Sequence, residues 1–288
     1  MATTERERLE DALLRRDAAA LALILAESGR APSVHLAHRL AGQRYAEQPA
    51  VLFDLGRALA ERPEQLAKGL GATLLGGQYA GHEAEVRLLL LRLADDADWV
   101  AREYAADGLG RLLTDHFDAT YDLFAMWTQH PSENIRRAVA LATMPAARGG
   151  NAERAARCLA LLEPLLADRS VYVRKNLGPF AIGSALLVHH PDSTFEALEC
   201  WRERFADEQV RWNLAMACSA SGGARWAERS FAFLYTLADD PRPFVWRAVS
   251  TALVNLGRKR PEVAQREIRR WLEDPARRQV AERALGMI

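Results

Sequence analysis

The sequence predicts an all-α protein built as a helical-repeat solenoid, a right-handed superhelix of antiparallel helix pairs with a concave face. Three observations carry that expectation. One short phrase recurs six times, as Ala101-Arg102-Glu103-Tyr104-Ala105, Ile135-Arg136-Arg137-Ala138-Val139, Val173-Arg174-Lys175-Asn176-Leu177, Val210-Arg211-Trp212-Asn213-Leu214, Val245-Trp246-Arg247-Ala248-Val249 and, more weakly, Val280-Ala281-Glu282-Arg283-Ala284. Its second residues fall at 102, 136, 174, 211, 246 and 281, so the steps are 34, 38, 37, 35 and 35 residues. Repeats of this length bury their apolar faces only by stacking on their neighbours. Alanine and leucine dominate while β-branched runs are scarce, a helical composition. With 49% hydrophobic residues and 12 prolines in 288, the chain can also bury a continuous core.

Taken in order, the first 82 residues are helical but less regular, and residues 83–288 carry the repeat within one expected domain, 1–288. Thr3 or Thr4 can cap a helix over Arg6 to Arg16, and Leu21 to Glu27 reads as another. Val34 to Tyr45, Ala50 to Ala60 and Glu64 to Leu75 have helical apolar spacing, and Pro32, Pro49 and Pro63 stand at or near their first turns. Gly76-Gly77 and Gly81 mark a break before a helix from about Glu83 to Leu93. Each repeat then opens on an acidic or proline-bearing turn: Asp95-Asp96, His130-Pro131, Asp168, Asp207, Asp239-Asp240-Pro241 and Asp274-Pro275. An inner helix with the recurring phrase follows, and an outer helix closes the period. Ala146 to Asn151 reads as a flexible loop.

Charge and cysteine usage narrow the classes of function. Lys+Arg and Asp+Glu both total 38, so the formal net charge is zero and any nucleic-acid contact must come from a local basic face. The three cysteines, Cys158, Cys200 and Cys218, form no metal spacing and read as buried free thiols. No metal and no cofactor is expected, since the seven histidines lack metal-ligand spacing and the glycine clusters match no phosphate loop. The charged start MATTERERLEDALLRRD has no signal-peptide core, and the longest apolar runs are too short to cross a bilayer. A soluble, cytoplasmic protein with no membrane partner is the expectation.

A turn acid followed by V-R-x-x-A resembles the HEAT repeat over roughly residues 83 to 286. Two roles are open to Arg102, Arg136, Arg174 and Arg211: bonding the turn aspartates as a stacking ladder, or contacting phosphates. The next position offers Glu103, Arg137, Lys175, Trp212, Arg247 and Glu282. On inner helices lining one face, these would mix cations that anchor phosphates with an indole that stacks on bases. An ordinary solvated face is the other reading. Trp127, Trp201, Trp226 and Trp271 are expected to anchor the core, and Trp99, Trp212 and Trp246 to reach solvent.

Three successive stretches resemble the AlkC/AlkD superfamily of bacterial DNA glycosylases: DADWVAREYAADGLGRLL (Asp96 to Leu113), HPSENIRRAVA (His130 to Ala140) and DRSVYVRKNLGPFAIGSALLVHHPD (Asp168 to Asp192). The resemblance implies a protein that cups alkylated double-stranded DNA in a cationic groove. Tryptophans would lie near the lesion, and a carboxylate would stabilise the oxocarbenium-like sugar as the base departs. Trp99 and Glu103 match the family's aromatic and acid, and Arg136 and Arg137 its double arginine. The chain departs from the family phrase at Leu141, where an acid is expected, and at Phe180, Ile182 and Gly183, where polar groups are expected.

Two classes of function therefore stand. The first is a DNA-binding alkylation-repair protein, possible as a glycosylase for N-alkylated purines with Glu103 catalytic. Its DNA contacts would come from Trp99, Arg102, Arg136, Arg137, Arg174, Lys175, Trp212, Trp246 and Arg247. The second is a non-catalytic HEAT-like scaffold binding a protein partner or a DNA structure through the same face.

Overall fold

The computed structural model describes residues 4–287, and all regular structure among them is helical. The chain divides into two compact units, one ending at Leu123 and the other beginning at Phe124. The division falls within the repeats, not at the glycine break near residue 82.

The first unit contains α1 (Glu5–Leu14), α2 (Ala18–Ser28), α3 (Ala31–Arg44), α4 (Pro49–Ala60), α5 (Gln65–Leu75), α6 (Glu83–Ala94) and α7 (Trp99–Asp115). Helix α8 (Phe117–Trp127) contains the point of division. Local chemistry sets these boundaries. Thr4 and Glu7 form a reciprocal capping box on α1, and Asp17 accepts from the Ala19 and Ala20 N–H groups to start α2. The alternative cap, Thr3, lies outside the described residues. Pro32 and Pro49 occupy first turns, where a missing N–H costs nothing. Helix α5 packs against α4 and α7 with Leu70 and Leu75 fully buried. Its backbone meets α7 directly, for a Cβ on Gly76 would lie 2.7 Å from the Gly108 carbonyl oxygen.

The second unit continues through α9 (Glu133–Ala146), α10 (Ala152–Leu162), α11 (Val171–Arg174), a π-helical stretch (Leu177–Leu186) and α12 (Leu187–His189). It ends with α13 (Pro191–Arg204), α14 (Glu208–Ser219), α15 (Ser221–Arg225), α16 (Ala227–Tyr235), α17 (Pro243–Lys259), α18 (Pro261–Glu273) and α19 (Arg278–Leu285). The inner helix of the third repeat is thus not the regular α-helix expected. Pro179 has no N–H for an i→i−4 bond, and the widened turn bonds the Ala181 N–H to the Asn176 carbonyl instead (3.2 Å). Gly178 and Gly183 let this stretch lie on α14, where a Cβ on Gly178 would sit 2.5 Å from the Asn213 carbonyl oxygen. Trp127, Trp201 and Trp271 anchor the core as expected, whereas Trp226 is only half-buried.

Four of the repeats begin with one hydrogen-bonding device; the repeat capped by Asp207 has Phe205 at that place. Asp96, Asp168 and Asp240 each accept from the N–H two residues on, at 2.9, 2.7 and 3.0 Å, and so tighten the turn. In the second repeat His130 substitutes, its Nδ1 accepting from the Ser132 N–H at 3.1 Å. The side chains of Asp98, Ser132, Ser170 and Asp207 then cap the inner helices. Counted from these caps, the recurring arginine is the fourth residue and the variable position the fifth.

Candidate nucleic-acid interface

At the fourth position the arginines form the ladder. Arg102 donates to the Asp96 and Ala97 carbonyls at 2.7 and 2.9 Å, and Arg136 repeats this on His130 and Pro131 at the same distances. Arg174 bonds the Asp168 carbonyl in the same way. Arg136 also forks onto the Asp168 carboxylate of the next repeat, at 2.6 and 2.9 Å, with both side chains about 95% buried (6% and 5% exposed). Arg211 reaches the Asp240 carboxylate at 3.4 Å. Burial opposes ionisation of Asp168, but the Arg136 fork and the Ser170 N–H outweigh it and hold the carboxyl below its ordinary range. Asp240 is held down in the same sense, chiefly by Arg242, which bonds it where Trp246 occupies the fourth position. Arg136 thereby has its donors engaged inside the protein.

At the fifth position the second unit presents a row of cations and rings up to Arg247, with the acid Glu282 in the last repeat. Arg137 is buried, with its guanidinium carbon 4.6 Å from the centre of the Tyr172 ring in the next repeat. Lys175 is exposed. Trp212 stacks on Phe244 of the next repeat, rings 16° apart and centres 6.1 Å apart. The half-buried Trp246 meets both Arg247 and Arg283, whose guanidinium carbons lie 5.4 and 5.6 Å from its ring centre. Tyr172 and Phe244 both stand two residues after a cap, so in these two repeats the fifth position meets the second position of the next. Phe180 and Phe244 keep 50% and 42% of their surface exposed, large apolar area beside charge.

In the first unit, Trp99 and Glu103 fall one turn apart on α7. Trp99 is 64% exposed and Glu103 half-buried. A second acid, Asp107, follows one turn later, and α3 brings His35 to the same place, its ring 6.1 Å from that of Tyr104. Gly69 on α5 makes room, since a Cβ there would strike the Tyr104 ring edge at 2.5 Å. The side chain of Asp107 reaches solvent, but the protein crowded around it raises its pKa; the Glu103 charge adds to the rise and His35 opposes it. Burial, Arg111 and His35 lower the pKa of His38. The sequence reading took Glu103 alone; the i,i+4 spacing Glu103–Asp107 was visible in it, whereas His35 and Tyr104 needed the packing of α3 on α5.

The positions that depart from the family phrase are packed, not polar. Ile182 and Gly183 are buried against α14, and a side chain on Gly183 would collide with the Ala217 carbonyl. Leu141 is half-buried on α9, and Phe180 points its ring to solvent. Of the cysteines, Cys158 and Cys218 are buried thiols as expected, but Cys200 is exposed on α13. Among the described residues no group of His, Cys, Asp and Glu is gathered to hold a metal, and no helix is long and apolar enough to cross a membrane.

Fold and capping frame define a helical-repeat protein. The sequence profile of the DNA alkylation repair enzyme family matches residues 34–211. The chain belongs to that family. It is also 31% identical, over 121 residues, to the 26S proteasome non-ATPase regulatory subunit 1 of Caenorhabditis elegans, covering 41% of this chain and 12% of that protein. The chain thus spans only a small part of that curated relative. Two solved structures are similar over nearly the full length. The smu.31 protein of Streptococcus mutans is 13% identical, with TM-score 0.36, covering 97% of this chain and 99% of its own. The Escherichia coli protein YibA is 17% identical, with TM-score 0.43, covering 99% and 98%.

Proposed function

We propose that this protein binds double-stranded DNA in alkylation repair through the cation–aromatic row of its second unit. The observation that carries the reading is the recurrence of a cation or an indole at the fifth position of four successive repeats, Arg137, Lys175, Trp212 and Arg247, with further rings and Arg283 beside them. Arg137 on Tyr172, Lys175, Trp212 on Phe244, and Trp246 with Arg247 and Arg283 follow one another along the unit. Exposed Lys175 and Arg247 are placed to neutralise phosphates, while the rings offer stacking surface. In this reading Arg136 and Arg211, which reach the turn aspartate of the next repeat, serve stacking, and the phosphate contacts fall chiefly to the fifth-position cations.

Catalysis, in this reading, belongs to the α7 acids. Glu103 is the anion that stabilises positive charge developing on the sugar. Asp107, which keeps its proton to higher pH than a free carboxyl, donates it to the departing base. The rival reading, a scaffold without chemistry, draws on Gly183 and Ile182, where core packing fills positions at which the family phrase has polar groups.

Two measurements test these readings. Fluorescence anisotropy on a duplex should show binding that weakens with salt, and Lys175→Ala with Arg247→Ala should lower the log–log slope by about 2, roughly 0.9 per phosphate contact. Release of 3-methyladenine or 7-methylguanine from alkylated DNA, abolished by Glu103→Gln, supports the enzyme. Salt-sensitive binding with no release supports the scaffold, and the absence of both overturns the DNA reading.

A further inference from the structure

A cavity of about 640 Å³ opens in the first unit between the C-terminal ends of α1 and α3, far in sequence from the recurring phrase. That volume lies in the range of small-molecule sites, about 300–1,000 Å³. One wall is apolar, formed by Leu13, Leu14, Leu40 and the buried Tyr45, whose hydroxyl donates to the Leu13 carbonyl. Two arginines lie close to that ring, with the guanidinium carbons of Arg16 and Arg44 at 5.7 and 5.9 Å from its centre. Among the described residues neither meets a carboxylate. The one hydrogen bond of the Arg16 side chain is a long one to Gln48, 3.4 Å, whereas Arg6 on the same rim is paired with Glu10 at 2.8 Å.

The backbone at Arg16 is a second, independent sign. It is the one non-glycine among the described residues with positive φ, at 55°. The Asp17 N–H bonds the Ala12 carbonyl and the Arg16 N–H that of Leu13, both at 2.9 Å, a Schellman ending whose left-handed position favours glycine. Helix α2 ends conventionally, with Gly29 at φ 62°. At the end of α1 the chain instead holds an arginine in the left-handed region, and this arginine lines the cavity, the kind of site where backbone strain accompanies function.

We propose that this cavity binds a phosphate monoester, its phosphate between the Arg16 and Arg44 guanidiniums and its organic group on the apolar wall. Guanidinium forks match phosphate oxygens, and an ester with a flat or apolar body complements the leucines and Tyr45. The shared chemistry has two sources, a free nucleotide or the 5′-phosphorylated end of a DNA strand.

Calorimetry on the full chain with deoxyadenosine monophosphate, deoxyadenosine, and one short oligonucleotide with either a 5′-phosphate or a 5′-hydroxyl tests the proposal. The two oligonucleotides share every contact except the terminal phosphate, so binding elsewhere cancels in their comparison. The monophosphate should bind at least tenfold more tightly than the nucleoside. Arg16→Gly and Arg44→Gln should each remove at least tenfold of that affinity. Arg16→Gly relieves the strained backbone, so its thermal midpoint should be unchanged or higher and loss of binding cannot come from unfolding. A 5′-phosphate oligonucleotide that binds more tightly than its 5′-hydroxyl counterpart, with the difference lost in Arg16→Gly, identifies the strand end; equal affinity of the two oligonucleotides with tight monophosphate binding identifies the nucleotide. Equal affinity for nucleoside and monophosphate, or full affinity in Arg16→Gly, overturns the site.

Discussion

Replacing Arg136 with methionine isolates the ladder's contribution to stability. The substitution keeps most of the aliphatic stem and removes the guanidinium, which makes two bonds to Asp168 and two to the His130 and Pro131 carbonyls. Both partners of the ion pair are about 95% buried, so Asp168 is left as an uncompensated charge out of water. Removing one partner from such a pair costs about 3–5 kcal/mol. An exposed pair such as Arg6–Glu10, with side chains 64% and 45% exposed, is worth roughly 0.2–1 kcal/mol. Urea unfolding of Arg136→Met should therefore show a loss several times that of Arg6→Met. A double-mutant cycle with Asp168→Asn should give a coupling of about 2 kcal/mol or more. A loss below about 1 kcal/mol, or a coupling no larger than that of Arg6 with Glu10, would refute the ladder as a buried, structural ion pair. DNA binding by the folded variant should be unchanged, because the guanidinium is turned inward.

Three more predictions follow from particular contacts. Asp96, Asp168 and Asp240 all have folded pKa values below the ordinary range, so their stabilisation is fully present above about pH 4, the unfolded value, and is lost as pH falls through the folded values. Unfolding free energies measured between pH 7 and 3 should fall on the acid side, less steeply for Asp168→Asn; a flat profile contradicts the assignment. Gly183→Ala places a Cβ against the Ala217 carbonyl and 2.7 Å from the Ala220 Cβ, so it should destabilise by about 1–3 kcal/mol in the same assay. A neutral result would mean that the π-helical stretch has room to move. With a thiol reagent the native protein should react quickly at Cys200 alone, since burial pushes the Cys158 and Cys218 thiols up to about 12; all three should react in denaturant.

The helices were legible in the sequence because their signals are local. Thr4, Asp17, Asp98, Ser132, Ser170 and Asp207 cap within three residues of themselves, and Pro49, Pro191, Pro243 and Pro261 start helices at their own positions. The even spacing of the V-R phrase reported the repeat for the same reason, since every period must present the same faces to its neighbours. The inner helix of the third repeat was not legible, although Gly178, Pro179 and Gly183 were in plain view. Its π-helical path depends on how closely α14 approaches.

The sequence by itself determined the all-α repeat, its period, its capped turns and the choice of arginine at the fourth position. The tertiary structure decided what those residues touch. It joined Arg136 to Asp168, set Arg137 on Tyr172 and Trp212 on Phe244, and gathered His35, Tyr104 and Asp107 beside Glu103. Except for Tyr104 and Asp107, which neighbour Glu103 on α7, these relations span tens of residues, and one chain carries no mark of which distant side chain will share its space. In the proposed reading, burial separates roles that the spacing left open: Arg136, turned inward onto Asp168, stacks repeats, while exposed Lys175 and Arg247 remain available to a phosphate.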